Sequence, residues 1–387
     1  MSEDSGLDLE RAREIFEASQ DFTVGLEEEF AIIDPDSLEL EHEFPTMMEA
    51  CKEDELLATA AAGELIDTEI EIRSGKGETF PDAVAMQSDH RERLFALADR
   101  MRLGLASWGT HPWASYLDQQ IIDTEHYNRL RAELGWVALR NNTWSNHVHV
   151  GIGGADRAIA VCDHLREVIP PLLALSANSP FLDGHDTGLH SVRTQIFTRT
   201  FPRCGVHEPF GDWDTYASFI ERLHATGAIV EATQLWWSVR PHHRFGTVEF
   251  RICDAQTDGD ESFALAGLVG ACVAQSALDF DEGRLPAPLG GREIEENFWR
   301  AIRWGLGGQM IDWRGSGEMI PTRDVVERLV EWSAPAADAM GAEISLPERN
   351  GAMRSIDALE DGAALGDVYR DAVEETRRTY APKLTAG

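Results

Sequence analysis

Lysine is nearly absent. The 387 residues hold Lys52, Lys76 and Lys383 and no other, among 34 basic residues set against 68 acidic ones. The formal charge of −34 is spread along the chain. That excludes the basic footprint a nucleic-acid binder needs and argues against an anionic membrane surface. We expect no nucleic-acid partner and no membrane. Salt at about 1 M shortens the screening length to ~3 Å and relieves self-repulsion, so this surface fits a halophilic protein in a salt-rich cytosol. No run reaches the ~18 apolar residues of a membrane span. The opening MSEDSGLDLERAREIF lacks the basic and apolar regions of a signal peptide, so a cytoplasmic protein is expected. The cysteines (51, 162, 204, 253 and 272) form no CxxC or other metal spacing, so reduced thiols are expected. Cys162 and Cys272 lie in apolar helical stretches and read as core residues. Neither a Walker A nor a GxGxxG run is present, which excludes P-loop and Rossmann nucleotide sites. Repeats and low-complexity segments are missing too.

What is present is a set of strands with charge on one face. In residues 22–33, period-two alternation puts Glu27 and Glu29 on one side and Glu28 on the other. Apolar flanks at Val24, Phe30, Ile32 and Ile33 argue for burial, and buried carboxylates two residues apart repel unless a cation lies between them. Residues 63–72 read as a second acid-bearing strand, with Glu69 and Glu71 sharing a face. In Asn146–Ile152, His147 and His149 share a face opposite Val148 and Val150, a pattern that serves metal or phosphate binding as well as a core histidine pair. In 247–253, Glu249 and Arg251 share a face opposite Val248, Phe250 and Ile252. Upstream, Arg240, His242, His243 and Arg244 crowd a turn between Pro241 and Gly246. A buried ion pair holding a sheet is the plain alternative for Glu249 and Arg251.

Helices are expected at 8–19, 46–60, 79–103, 124–140, 155–177 (interrupted by Pro170 and Pro171), 213–229, 260–280, 293–306, 321–337 and 356–378. A strand is expected at 105–112, a hairpin return at 38–43, and a functional loop at 178–188. Leu285–Gly291 is the best linker candidate. Carboxylates and histidines without thiolates favour hard cations. Arginines beside them suggest a metal–nucleotide–phosphate site that acts by positioning and charge neutralisation.

The segments VGLEEEF (24–30), ELIDTEIEI (64–72), GTHP (109–112), HVHVGI (147–152), LSANSPF (175–181), DTGLHSVRTQIF (186–197) and RPHHRFGTVEFRICDA (240–255) together resemble the type 2 glutamate–cysteine ligases. These carboxylate–amine ligases are relatives of glutamine synthetase. The resemblance implies an α+β fold of the glutamine-synthetase catalytic type, with a curved, mainly antiparallel sheet forming a funnel and helices on its outer face. It implies one catalytic domain over 1–387, with a motif-bearing core at about 20–280 and a helical part at about 290–380. It implies ATP and Mg²⁺ (or Mn²⁺) as cofactors, with L-glutamate and L-cysteine as substrates. A homo-oligomer is left open. By position, Glu27, Glu29, Glu64, Glu71, His147 and Glu249 correspond to metal ligands, with Glu69 as the substitute for Glu64. Residues 64 and 71 are seven apart and face opposite ways in a regular strand, so a bulge or a late strand start is required. His149, Arg251 and Arg193 correspond to nucleotide-binding groups. Arg251, Arg240 and Arg244 correspond to catalytic cations for the transferring phosphoryl or a substrate carboxylate. A different amine acceptor is the alternative. An amidohydrolase also uses HxH on a strand, but there the motif comes near the start of a (β/α)₈ pattern. A non-catalytic nucleotide or metal sensor would not need so full a ligand set.

Overall fold

The computed structural model describes residues 7–385. Seven strands form one sheet: β1 (Val24–Ile33), β2 (Ala61–Ala62), β3 (Glu69–Arg73), β4 (Gly104–Ala106), β5 (Asn146–Gly151), β6 (Val239–His242) and β7 (Thr247–Phe250). The order is β6-β7-β5-β1-β3-β2, with β4 paired to the end of β1. Every pairing is antiparallel.

Strand alternation sorts the two faces. Val24, Leu26, Val148, Val150, Val248 and Phe250 join one core cluster; Phe30, Ile32, Ile70 and Ile72 join another. Helices α1 (Leu9–Glu17), α2 (Phe80–Met101), α3 (Ala155–Leu165) and α4 (Ile169–Ser176) cover this apolar face together with α6 (Gly259–Asp281), whereas α5 (Val192–Thr200) borders the polar side, lining a small cavity with Glu29, Glu64 and Glu69. Burying one such Val, Leu or Phe stabilises the fold by about 1.5–3 kcal/mol. Glu28 is the exception on this face. It accepts from Arg91 Nε at 2.7 Å and Gln87 Nε2 at 3.0 Å, and Arg91 lies over the Phe263 ring at 3.5 Å and the Tyr380 ring at 4.2 Å. Its charge is therefore spent inside the scaffold.

Several expected elements differ. The second acid-bearing strand starts late, at Glu69, because Asp67 N is drawn to Gln120 O (3.0 Å) and Thr68 Oγ1 to Gln119 Oε1 (2.7 Å). Helix 46–60 splits into Phe44–Cys51 and Leu57–Ala60, where the Asp54 carboxylate accepts from the Leu56 and Leu57 amides at 3.0 and 3.2 Å. Strand 105–112 shrinks to β4. The stretch 356–378 is two helices, Gly351–Glu360 and Leu365–Tyr380, parted at Gly362 (φ 99°). Pro170 and Pro171 open α4, where a missing amide proton is harmless.

The helix α6 departs from the expectation that no segment is long and apolar enough to cross a membrane: it passes on length and hydropathy. Protein surrounds it, and 78% of its most apolar window is buried, so it is the central core helix. Asp258 caps it, accepting from Asp260 N at 2.8 Å and Glu261 N at 3.1 Å. The largest core cluster draws residues from Leu9 to Met340, on both sides of the 285–291 stretch. Cys162 and Cys272 are buried in it.

Candidate active site

The other face of the sheet carries the polar residues in rows set by register. Arg240, Glu249, His149 and Gly25 form one row. His147, Glu27 and Arg73 form the next. Glu29 and Glu71 pair in a third, beside Ser145, and Glu69 follows opposite Ala31. Glu64 precedes β3 and lines one cavity with Glu71. The late start of β3 lets residues 64 and 71 meet, although regular alternation would oppose them.

Two regions of contrasting electrostatics result. In the first, the anions have cations. Glu249, 1% exposed, accepts from Arg240 Nε at 2.6 Å and Nη2 at 3.2 Å, and also from Arg251. Burial opposes its charge, yet Arg240 and Arg251 hold its carboxyl well below the usual range. Glu27 likewise resists burial because His149 and His147 hold it ionised. Burial works against a charged His149, but Glu27 and Glu249 raise its basicity; its Nδ1 lies 2.9 Å from Thr247 Oγ1.

In the second region the anions crowd one another. Burial and then the charge of Glu64 push Glu29 up to about 7. Burial with Glu29, Glu64 and Glu71 pushes Glu69 well above the carboxylate range, and burial with Glu27 and Glu64 does the same to Glu71. Both carboxylate oxygens of Glu69 are buried without a hydrogen-bond partner among the described residues. An arrangement of this kind calls for a cation.

The residues fit divalent metal. Glu27, His147 and Glu249 bring donor atoms within 4.8 Å of one another, and so do Glu29, Glu71 and His147. Hard oxygen donors with one imidazole suit Mg²⁺ or Mn²⁺. His147 stands between the two sets. Ser145 N and Oγ donate to Glu29 Oε2 at 2.5 and 2.7 Å, and His147 Nε2 lies 2.9 Å from that hydroxyl. Its Nδ1 lies 3.1 Å from Glu27 Oε2. Burial and the Arg251 charge lower its basicity, to about 4, so a neutral ring can offer a lone pair to a cation. One ion would be held by Glu27, Glu249 and His147, and a second by Glu29 and Glu71 with Glu64 or Glu69.

The remaining sequence-selected residues fall as follows. Arg251 adjoins Glu249. Arg240 is buried, giving Nη1 to Thr233 O at 3.0 Å and Leu235 O at 2.7 Å beside its two bonds to Glu249, so it orients Glu249 and keeps one Nη2 hydrogen for another acceptor. Arg244 is exposed at the tip of the β6–β7 hairpin and lines two cavities of about 480 and 600 Å³. Arg193 sits lower, on α5, with Ile252 O at 2.9 Å. His111 is structural: its Nε2 meets Leu38 O at 2.8 Å. Sequence reasoning missed Ser145 and Arg73. Each stands two residues from a selected one on the same strand face, which is the signal that could have found them. Arg73 Nε lies 3.2 Å from Glu71 Oε1.

The crowded acids imply a linkage between pH, metal and stability. A carboxyl whose folded pKa is raised keeps its proton in the native state after the unfolded chain has lost it, so stability falls as pH rises. Histidines held neutral near 4, such as His111 and His207, act in the opposite sense, but only below their ordinary value of about 6.5. Between about pH 7 and 8.5 the acids dominate, and each retained proton weakens the fold by about 1.4 kcal/mol per pH unit. Metal-free protein should melt lower at the upper end of this window, and Mg²⁺ or Mn²⁺ should restore more there than at pH 7. Scanning calorimetry with and without chelator checks this; an equal metal effect at both pH values would refute it.

An open antiparallel sheet, helices on one face and a carboxylate–histidine–arginine face on the other define a ligase fold of the glutamine-synthetase type. Two solved structures share it. A glutamate–cysteine ligase from Francisella tularensis, in complex with AMP, matches with a TM-score of 0.67 over 94% of this chain and 89% of that one, at 11% identity. A bifunctional glutathione synthetase from Pasteurella multocida matches at 0.66 and 11% identity over 96% of this chain, which spans 54% of that larger protein. Within this class the family is set by sequence. The model of glutamate–cysteine ligase family 2 matches residues 23–377. A Rubrobacter xylanophilus protein provisionally named glutamate–cysteine ligase 2-2 is 36% identical over 92% of this chain and 91% of its own length. The chain belongs to glutamate–cysteine ligase family 2, and is an ATP-dependent ligase.

Proposed function

We propose that the enzyme joins the γ-carboxylate of L-glutamate to the amino group of L-cysteine, using ATP. The observation that carries this reading is the pair of neighbouring acidic donor sets, one around Glu27, His147 and Glu249 and one around Glu29 and Glu71, with Arg251 beside them. A carboxylate oxygen of glutamate attacks the γ-phosphorus, the bond to the bridging oxygen breaks, and ADP leaves. The amine lone pair then attacks the acyl carbon, the carbon–oxygen bond to phosphate breaks, and the surplus amine proton goes to solvent. Divalent ions, when bound, would offset charge on the phosphate oxygens.

The chain's own groups position and neutralise. Glu27, His147 and Glu249 would face the nucleotide, and Glu29 and Glu71, with Glu64 or Glu69, the acceptor carboxylate. Arg251 supplies a fixed cation against the transferring phosphoryl. His149, anchored by Thr247, adds a second. Arg244 lines both large cavities and would meet the triphosphate. The 600 Å³ cavity, bounded by α1, Gly25, Gly75 and Phe245, suits the nucleotide, since its glycines present bare backbone. The 480 Å³ cavity beneath helix Glu125–Leu134 is left for the amino acids.

A panel of amines tests the reading, scored by ADP and phosphate release with ATP, glutamate and Mg²⁺. We expect release that requires glutamate and metal and is greatest with L-cysteine, above L-2-aminobutyrate, glycine and ammonia. Preference for another amine would make the enzyme a glutamate ligase of different acceptor. No metal-dependent ADP formation with any amine would end the proposal.

A further inference from the structure

Three of the sequence segments above have no part in the metal sites, yet they converge on one buried carboxylate at the end of a fourth. Asp254 is fully buried and accepts from Ser179 Oγ at 2.6 Å, Asn178 N at 2.9 Å and Ser191 Oγ at 2.9 Å. A Cβ on Gly109 would lie 2.9 Å from its carboxyl carbon, so that position has no room for a side chain. Asp254 Oδ1 is also 3.5 Å from Arg193 Nη1. Arg193 gives that nitrogen to Ile252 O at 2.9 Å and Nη2 to Arg251 O at 3.3 Å, while its amide donates to Ser179 Oγ at 3.2 Å.

One edge of the guanidinium is left over. Arg193 Nε is buried with no partner among the described residues, and the side chain is 5% exposed. The residue lines a small cavity with Glu29, Glu64, Glu69 and Arg251, which adjoins the amino-acid cavity through Glu64, His147 and Arg251. A planar edge of Nε and Nη2 is shaped for a bidentate carboxylate. A triphosphate is a poor occupant here, because three glutamates would repel it. A zwitterion is a good one: Glu69, whose oxygens lack partners and which belongs to neither three-residue donor set, can take an ammonium group.

We infer that Arg193 binds the α-carboxylate of the amino-acid substrate in this cavity, and that Asp254 is the positioning residue that holds it there. This rests on the reading that glutamate is the phosphorylated substrate. It assigns Arg193 to the amino acid, not to the nucleotide.

The test compares L-glutamate with 4-aminobutyrate, which keeps the reacting carboxylate and the amine but lacks the α-carboxylate. ADP formation is measured for wild type, Arg193→Lys and Asp254→Asn. Wild type should prefer glutamate in kcat/KM. In Arg193→Lys, KM for glutamate should rise about 30-fold and the preference should collapse, with KM for ATP changed less than about 3-fold. Asp254→Asn should do the same at about 5-fold, because the amide oxygen still accepts from Ser179 while the charge facing Arg193 is lost. If Arg193→Lys does not fold, Asp254→Asn carries the test alone. Retained preference in the variant, a parallel rise in KM for ATP, or a wild type that does not distinguish the two substrates overturns the inference. No glutamate-dependent ADP formation by wild type would instead defeat the proposed function.

Discussion

Glu29→Gln is expected to lower kcat by about 10³-fold while making the metal-free protein more stable at pH 8. The two effects have one origin. Glu29 faces Glu71 across the β1–β3 pair, with Glu64 and Glu69 close by, and its ionisation is opposed until about pH 7. An amide oxygen can still accept from Ser145 N and Oγ, so the local hydrogen bonds survive. What disappears is a charge that has value only when a cation answers it. Without metal, removing it should raise stability by about 2 kcal/mol at pH 8, with the gain shrinking toward pH 5 as the native carboxyl is protonated anyway. With metal, one ligand is gone and the phosphoryl-transfer site loses its charge balance. Thermal melts in chelator, paired with single-turnover ADP formation, check both halves. A variant that is less stable without metal would contradict the crowded-acid account even if it were inactive.

The polar face of this sheet was legible in the sequence because period two is a local property. Glu27 and Glu29, His147 and His149, and Glu249 and Arg251 share a face wherever their strands lie, and β1, β5 and β7 form where alternation placed them. What was not legible depends on contacts distant in sequence. Residues 63–68 alternate like a strand, but partners at Gln119 and Gln120 hold the segment as a turn. Arg240 reads as a free cation in a basic turn until the β6–β7 register sets it opposite Glu249. Ser145 is an unremarked serine until Glu29 and His147 meet on either side of it. Asp254 closes a strand motif whose four partners come from loops at least 60 residues upstream. Local pattern therefore gave the chemistry of the face, and long-range pairing decided which cations remain available to a substrate.

The same distinction fixes the expected result for Glu249→Gln, the mirror of the first substitution. Activity should again fall by about 10³-fold, since a metal carboxylate is removed. Stability should now drop, by about 3–5 kcal/mol, because Arg240 and Arg251 lose a shared, fully buried counter-charge. Arg240 would keep only Thr233 O and Leu235 O. The pH dependence separates the two variants more sharply than either magnitude does. The Glu249 carboxyl is held well below the usual range, so its contribution is fully present above about pH 4.5 and is lost only as pH falls through its lowered value. The stability gap between wild type and Glu249→Gln should therefore stay constant from about pH 5 to 8.5, and should persist in chelator. For Glu29→Gln the gap should have the opposite sign and widen as pH rises. Two isosteric carboxylate-to-amide changes, close together on one sheet face, would then diverge in stability while agreeing in activity. A loss of stability in both would mean that Glu29 is held by an unrecognised cation. A gain in both would mean that Arg240 and Arg251 do not depend on Glu249.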